Sequence, residues 1–191
     1  SIIGVTVAFL AYATYNIKVG FYIKAVCKIK TQDKMLFLTF DDGPEQQTSE
    51  ILDILKSHDC KATFFLIGKK IESNPDIVSR IVAEGHEVGN HSYSHTWDFP
   101  LQITSKMRLN LMKTNELIEK HTGKPNELFR PPFGVTNPTV AKAVGELQLK
   151  TIAWSIRSYD TVIDDCKTLF EKVTQKIEPG SIILLHDNGK T

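Results

Sequence analysis

The feature that most constrains this chain is an alternation. Short apolar runs, most of them closed by a titratable residue, are separated by stretches with helical spacing. MLFLTF at 35–40 meets Asp41-Asp42-Gly43-Pro44, and ATFFLI at 62–67, HEVGNH at 86–91, LFR at 128–130, KTIAWSI at 150–156 and SIILLH at 181–186 continue the series. Between them, 48–58 carries Ile51, Leu52, Ile54 and Leu55, and the stretch opened by Asn74-Pro75 carries Ile77, Val78, Ile81 and Val82 as far as Gly85. A third helical pattern over 101–121 runs into Gly123, and 138–147 and 166–177 supply two more. Buried strands joined by amphipathic helices pair in parallel through crossover connections, which predicts an α/β fold as an open sheet or a barrel. Periodicity alone does not separate the two.

Nearly every predicted strand delivers a polar residue at its C-terminal end: Asp41 and Asp42, His91 and His95, Arg130, Asp160, and His186 with Asp187. Those ends form the ligand-binding mouth of parallel sheets and barrels, so these separated residues are expected to converge. Singly, each has a structural reading: Asp42-Gly43 as a turn, His186 as a core imidazole. In phase with the strand ends, they read as a site. His91 and His95 stand four residues apart, a spacing that brings two imidazoles to one side of a helical turn. With one carboxylate they make a three-ligand metal set that leaves a position open, the pattern of a catalytic centre. Adjacent Asp41 and Asp42 point apart in an extended chain, so one can ligate while the other handles a proton. Such donors suit zinc first, and also accept cobalt, nickel, iron or manganese.

Composition excludes several alternatives. Over 191 residues, 41% apolar and 24% charged content fits one globular domain with its own core. A net charge of +1 gives no global field for nucleic acid, and none is expected as a partner. Cys27, Cys60 and Cys166 lack C-x-x-C spacing, so neither a disulfide framework nor a thiolate zinc site is expected. The run IIGVTVAFLAYA at 2–13 is shorter than the roughly 20 residues of a spanning helix, and reads either as part of a membrane anchor or as an element packed on the domain. Lys18, Lys24, Lys28, Lys30 and Lys34 follow it, and the positive-inside tendency would keep that flank cytoplasmic.

Five ordered motifs then carry a resemblance: Thr39-Phe40-Asp41-Asp42-Gly43-Pro44, His91-Ser92-Tyr93-Ser94-His95, Arg130-Pro131-Pro132-Phe133-Gly134, Trp154-Ser155 leading to Asp160, and Leu184-Leu185-His186-Asp187. Over 35–187 the sequence resembles the NodB-like polysaccharide deacetylases of carbohydrate esterase family 4. The resemblance implies a distorted (β/α) barrel with fewer than eight complete repeats, in which parallel strands alternate with crossover helices. Residues 1–30 would form an extension that makes any membrane contact, and 31–191 the deacetylase domain, without the last helix and strand usual in the family. It further implies metal-dependent removal of N-acetyl groups from a GlcNAc-containing polysaccharide, peptidoglycan or chitin-like, at the cell envelope. Asp42, His91 and His95 would hold one divalent ion, zinc first. Asp41 would be the general base and His186 the acid that protonates the departing amine. Arg130 would orient Asp41, and Asp160 would in turn pair with Arg130. The Phe133 N–H would help to stabilise the oxyanion, and Leu184 would shape the pocket for the acetyl methyl. Trp97, Phe99 and Phe133 are candidate sugar platforms, of which only Phe133 is assigned to the site. Two positions depart from the family pattern: Arg157 replaces a usual acid and Thr161 a usual tryptophan. O-acetyl glycan esterase and carbohydrate-binding pseudoenzyme stay open as alternatives, and the sequence sets no oligomeric state.

Overall fold

The first element of the computed structural model, which describes residues 1–187, is the helix α1 (Ile2–Tyr15). A short 3-10 turn, Ile17–Val19, and an irregular stretch lead to the first strand, β1 (Phe37–Asp41). The chain then alternates as expected: α2 (Gln46–Ser57), β2 (Ala62–Leu66), α3 (Gly68–Ser73), α4 (Pro75–Ala83), β3 (Glu87–Asn90), α5 (Thr104–Thr122), β4 (Leu128–Phe129), α6 (Pro138–Glu146), β5 (Lys150–Thr151), β6 (Ile156–Arg157), α7 (Cys166–Thr174) and β7 (Ile182–His186). The unforeseen helix is α3, whose sequence GKKIES buries only Gly68 and Ile71 and so carries almost no periodic signal. At the end of α5, Gly123 adopts φ 69 and returns its N–H to the carbonyl of Glu119, the left-handed cap its position suggested.

All strands are parallel, in the order β5-β4-β3-β2-β1-β7-β6. That order settles the question periodicity left open. Strands lie about 4.8 Å apart, so the edges of a flat seven-stranded sheet would stand about 29 Å from each other. Yet the two edge strands, β5 and β6, are separated in the chain only by residues 152–155, a reach of about 17 Å. The sheet therefore curls into a distorted barrel with fewer than eight repeats. The single strand expected over 150–156 is two strands on opposite edges, and the segment between them crosses the gap.

The core lies where the helices cover the barrel's outside. Phe64 and Leu66 of β2 pack with Leu52, Val78, Ile81 and Ile118 from three surrounding helices, all fully or nearly fully buried. Met107, Leu111, Phe129, Val140 and Val144 form a second cluster, and Phe99 belongs to it as a core residue instead of a sugar platform. A third cluster joins Ile17 to Ala153, Trp154, Ile182 and Leu184. Residues 17–29, assigned to the extension on sequence grounds, thus pack into the barrel: Val26 N–H donates to the Thr151 carbonyl at 2.9 Å, Ala153 N–H returns to Val26 at 2.9 Å, and Ile29 N–H reaches Gly180 at 2.9 Å. By contrast, α1 buries only Ala13 and exposes Ile2, Ile3, Val5 and Val7. Among the described residues no helix is long and apolar enough to cross a membrane.

Gly180 tests this docking. It stands at φ +79, and a Cβ there would lie 1.9 Å from the Ile29 carbonyl oxygen. Gly180→Ala is expected to cost about 2 kcal/mol or more, lowering Tm by about 4–8 °C in thermal unfolding of a chain this size.

Candidate active site

At the C-terminal ends of the strands, a cavity of about 270 Å³ brings together Asp41, Asp42, His91, His95, Phe133 and His186. Arg157, Thr161 and Leu184 also line it, whereas Trp97 is 77% exposed and does not. A larger hollow of about 550 Å³ lies near Gly85, Glu87 and Leu128. Among the described residues, however, the cluster of metal-type donors is at the smaller one.

Local backbone shape aims the donors. Asp41 ends β1 in regular geometry and turns its carboxylate toward Arg130, whereas Asp42 swings to φ 80 and turns its own toward the histidines. The two carboxylates take different partners but do not diverge fully, since Asp41 Oδ2 also comes within 3.8 Å of His91 Nε2. His91 and His95 meet differently from expectation, because residues 91–95 form no helical turn. Ser92 and His95 both adopt positive φ, 67 and 47, and the loop folds back until the rings stand 4.8 Å apart. Polar side chains hold this loop: Asn90 Oδ1 accepts from Ser92 N–H at 2.7 Å, Ser92 Oγ from His95 N–H at 3.1 Å, and Asn110 Oδ1 from Tyr93 N–H at 2.8 Å. Sequence reasoning missed Asn90 and Asn110. An asparagine that ends a strand before a histidine pair is the one signal that pointed to the first.

The donor set fits a divalent cation. His91 Nδ1 lies 2.8 Å from the Arg130 carbonyl, so this nitrogen carries the proton and leaves the Nε2 lone pair facing inward. Nε2 of His91 and of His95 stand 3.4 and 3.3 Å from Asp42 Oδ1. Donors about 2.1 Å from a tetrahedral ion stand about 3.4 Å from each other, so the spacing matches. Burial opposes ionisation of Asp42, but the hydrogen bond and charge that His91 supplies when protonated, with His95 and His186 behind, outweigh it and hold the carboxyl well below the usual range; a bound cation would take the place of that proton on Nε2. Burial and the neighbouring His91 push His95 down, toward the neutral form a metal requires.

Two ion pairs flank this set. Arg130 is completely buried and donates to Asp41 Oδ1 at 2.7 Å, to Thr39 Oγ1 at 2.8 Å, and to the carbonyls of Ile152 and Ala153 at 3.1 and 2.9 Å. None of these four bonds goes to Asp160, and the pairing expected between Asp160 and Arg130 is corrected. Asp160 instead engages His186 twice, through the backbone N–H at 2.6 Å and through Nδ1 at 2.7 Å. Burial alone would lower His186, but the hydrogen bond and charge of Asp160 overcome it, and its pKa is raised. Burial would likewise raise Asp160, and His186 holds it down. The ordinary range of an imidazole thus becomes that of an acid that keeps its proton near neutrality.

That pair can be tested on the protein alone. A raised histidine adds stability fully present below its ordinary value of 6.5 and lost as pH rises through the raised one. Asp160→Asn is expected to lower the His186 pKa in an NMR titration, and to destabilise the protein more at pH 6 than at pH 9.

The chain is similar to several known proteins. A family model described as polysaccharide deacetylase matches residues 28–152. The peptidoglycan-N-acetylglucosamine deacetylase PgdA of Listeria monocytogenes is 38% identical over 170 residues, covering 88% of this chain and 35% of that protein. The peptidoglycan-N-acetylmuramic acid deacetylase PdaA of Bacillus subtilis is 35% identical over 161 residues, covering 82% and 61%. The chain therefore spans about a third of the first relative's length and less than two thirds of the second's. A solved CE4 family pseudoenzyme from Bacillus anthracis superposes with a TM-score of 0.79 at 34% identity, covering 86% of this chain and 58% of the other.

Proposed function

Because the chain belongs to the polysaccharide deacetylase family, we propose that it hydrolyses the N-acetyl groups of a GlcNAc-containing envelope glycan, peptidoglycan first, and releases acetate. One observation carries this reading: a carboxylate held by a buried arginine and an imidazole held by a buried aspartate face one cavity that also contains a three-ligand metal set.

In this reading Asp42, His91 and His95 hold the cation. When bound, a divalent ion there would supply Lewis acidity, lowering the pKa of a water toward neutrality and polarising the acetyl carbonyl. Asp41 takes the proton of the attacking water, and Arg130 keeps that carboxylate aimed. The Phe133 backbone N–H donates to the carbonyl oxygen as charge develops on it. His186 gives its proton to the departing nitrogen. An amide nitrogen leaves only when protonated, whereas an ester oxygen is less demanding, so the raised His186 favours N-acetyl over O-acetyl substrates. Leu184, 3% exposed and lining the same cavity, gives the acetyl methyl an apolar wall. Arg157 and Thr161 shape the rest of the rim.

Acetate release from N-acetylglucosamine oligomers and from peptidoglycan, by zinc-loaded and by chelated protein, tests the reading. Metal-dependent release is expected, and Asp41→Asn should lower turnover about a hundredfold or more while zinc binding persists. Sugar binding without release from any acetylated glycan would favour the pseudoenzyme reading, for which a solved relative sets a precedent.

The exposed apolar helix α1, with lysines 18, 24 and 28 after it, fits contact with an envelope membrane. Co-sedimentation with anionic vesicles is expected, and should weaken when Ile3 and Val7 are replaced by serine.

A further inference from the structure

Asp187 is a buried carboxyl that none of the steps above uses. It is 1% exposed, and its Oδ1 has no hydrogen-bond partner among the described residues. An unpartnered buried oxygen forfeits its hydration without a replacement bond, so folding alone would favour an apolar residue at this position. What surrounds it is the turn that carries Asp42. Asp187 N–H donates to the Asp41 carbonyl at 3.2 Å, on the near side of that turn. Its Oδ2 accepts from Thr48 Oγ1 at 2.7 Å, and the same hydroxyl accepts from Glu45 N–H at 2.8 Å, on the far side. Between these two anchors the carboxyl lies flat against Gly43, where a Cβ would come within 2.0 Å of Oδ2. The turn's outer face is tied down separately, by Ile67 N–H donating to the Gly43 carbonyl at 2.8 Å.

The residue enclosed by these contacts is strained. Asp42 sits at φ 80, a left-handed conformation that is unfavourable for a non-glycine residue and persists only where its surroundings over-determine it. In regular strand geometry Asp42 would continue the line of β1 and turn its side chain away from His91 and His95.

We propose that Asp187 is a positioning residue: through Gly43, Thr48 and the Asp41 carbonyl it clamps the 41–45 turn, so that the Asp42 carboxylate meets His91 and His95 before any cation arrives. The inference rests on the metal-site reading above. The clamp works by shape and by one accepted hydrogen bond, so asparagine, which presents an accepting oxygen in the same outline, substitutes for aspartate, and alanine does not.

The experiment measures zinc affinity by competition with a chromophoric chelator, for the wild type, Asp187→Ala, Asp187→Asn, Thr48→Val and the Asp187→Ala/Thr48→Val double variant. Asp187→Ala is expected to weaken zinc binding about tenfold or more, in line with the loss of other groups that orient ligands. Asp187→Asn should stay within about threefold of the wild type. Thr48→Val should reproduce part of the alanine loss, and the double variant should be no weaker than Asp187→Ala, because both changes break one connection. If Asp187→Ala does not fold, Thr48→Val decides. Wild-type affinity in Asp187→Ala, or in Thr48→Val where that variant decides, overturns the clamp. So does an asparagine variant as weak as the alanine one. A wild-type protein that binds no zinc overturns the metal reading together with it, whereas a failure to release acetate leaves the zinc readout standing, so the two failures are distinguishable.

Discussion

The hydrogen bonds of Arg130 tie together parts of this protein that the sheet alone leaves apart. Its guanidinium sits inside the barrel, against the Phe65 ring, and bonds Thr39 and Asp41 on β1 together with two carbonyls of the gap-crossing segment. Those carbonyls, on Ile152 and Ala153, belong to residues between β5 and β6, outside the strand ladders. A buried arginine is costly unless its donors are satisfied and its charge is matched. Here both conditions are met by atoms that need a partner themselves. The residue that aims the Asp41 carboxylate is therefore also the one that satisfies the barrel's seam, and folding and site assembly share one set of bonds.

The second ion pair is kept apart from the first. Asp160 serves His186 and Arg130 serves Asp41, so each titrating group has its own opposite charge. The separation matters because a base and an acid must occupy opposite protonation states at one pH. With a separate partner for each, the raised imidazole and the arginine-bound carboxylate share a cavity of about 270 Å³, close enough that the Asp41 charge adds to the rise of His186.

Much of this was legible in the sequence, and the failures have identifiable causes. The phase of polar residues at strand ends located the mouth, because parallel pairing places all C-terminal ends on one side. The resemblance named the ligand set that the structure brings within 4.8 Å. Reading 150–156 as one strand failed because nothing in the run reports that Arg130 claims two of its carbonyls. The helical turn expected at 91–95 failed because Ser92 and His95 adopt left-handed backbone, held there by Asn90 and Ser92 side chains. The resemblance paired Asp160 with Arg130, yet the guanidinium bonds Thr39, Asp41 and two carbonyls, and Asp160 pairs with the imidazole 26 positions later. The role of residues 17–29 was invisible because they pair through isolated bridges instead of a strand.

Those residues also decide how the molecule is held. The end of α1 is fastened to the barrel: Thr14 accepts from the Thr136 N–H at 3.0 Å, Ile17 is buried, and Lys18 reaches the Ser155 carbonyl at 2.8 Å. These attachments sit beside the Phe133 loop and the Trp154 wall of the cavity. The helix is thus a bracket and not a leash. The mouth therefore keeps one bearing to the end of α1, set by these bonds instead of by the swing of a linker.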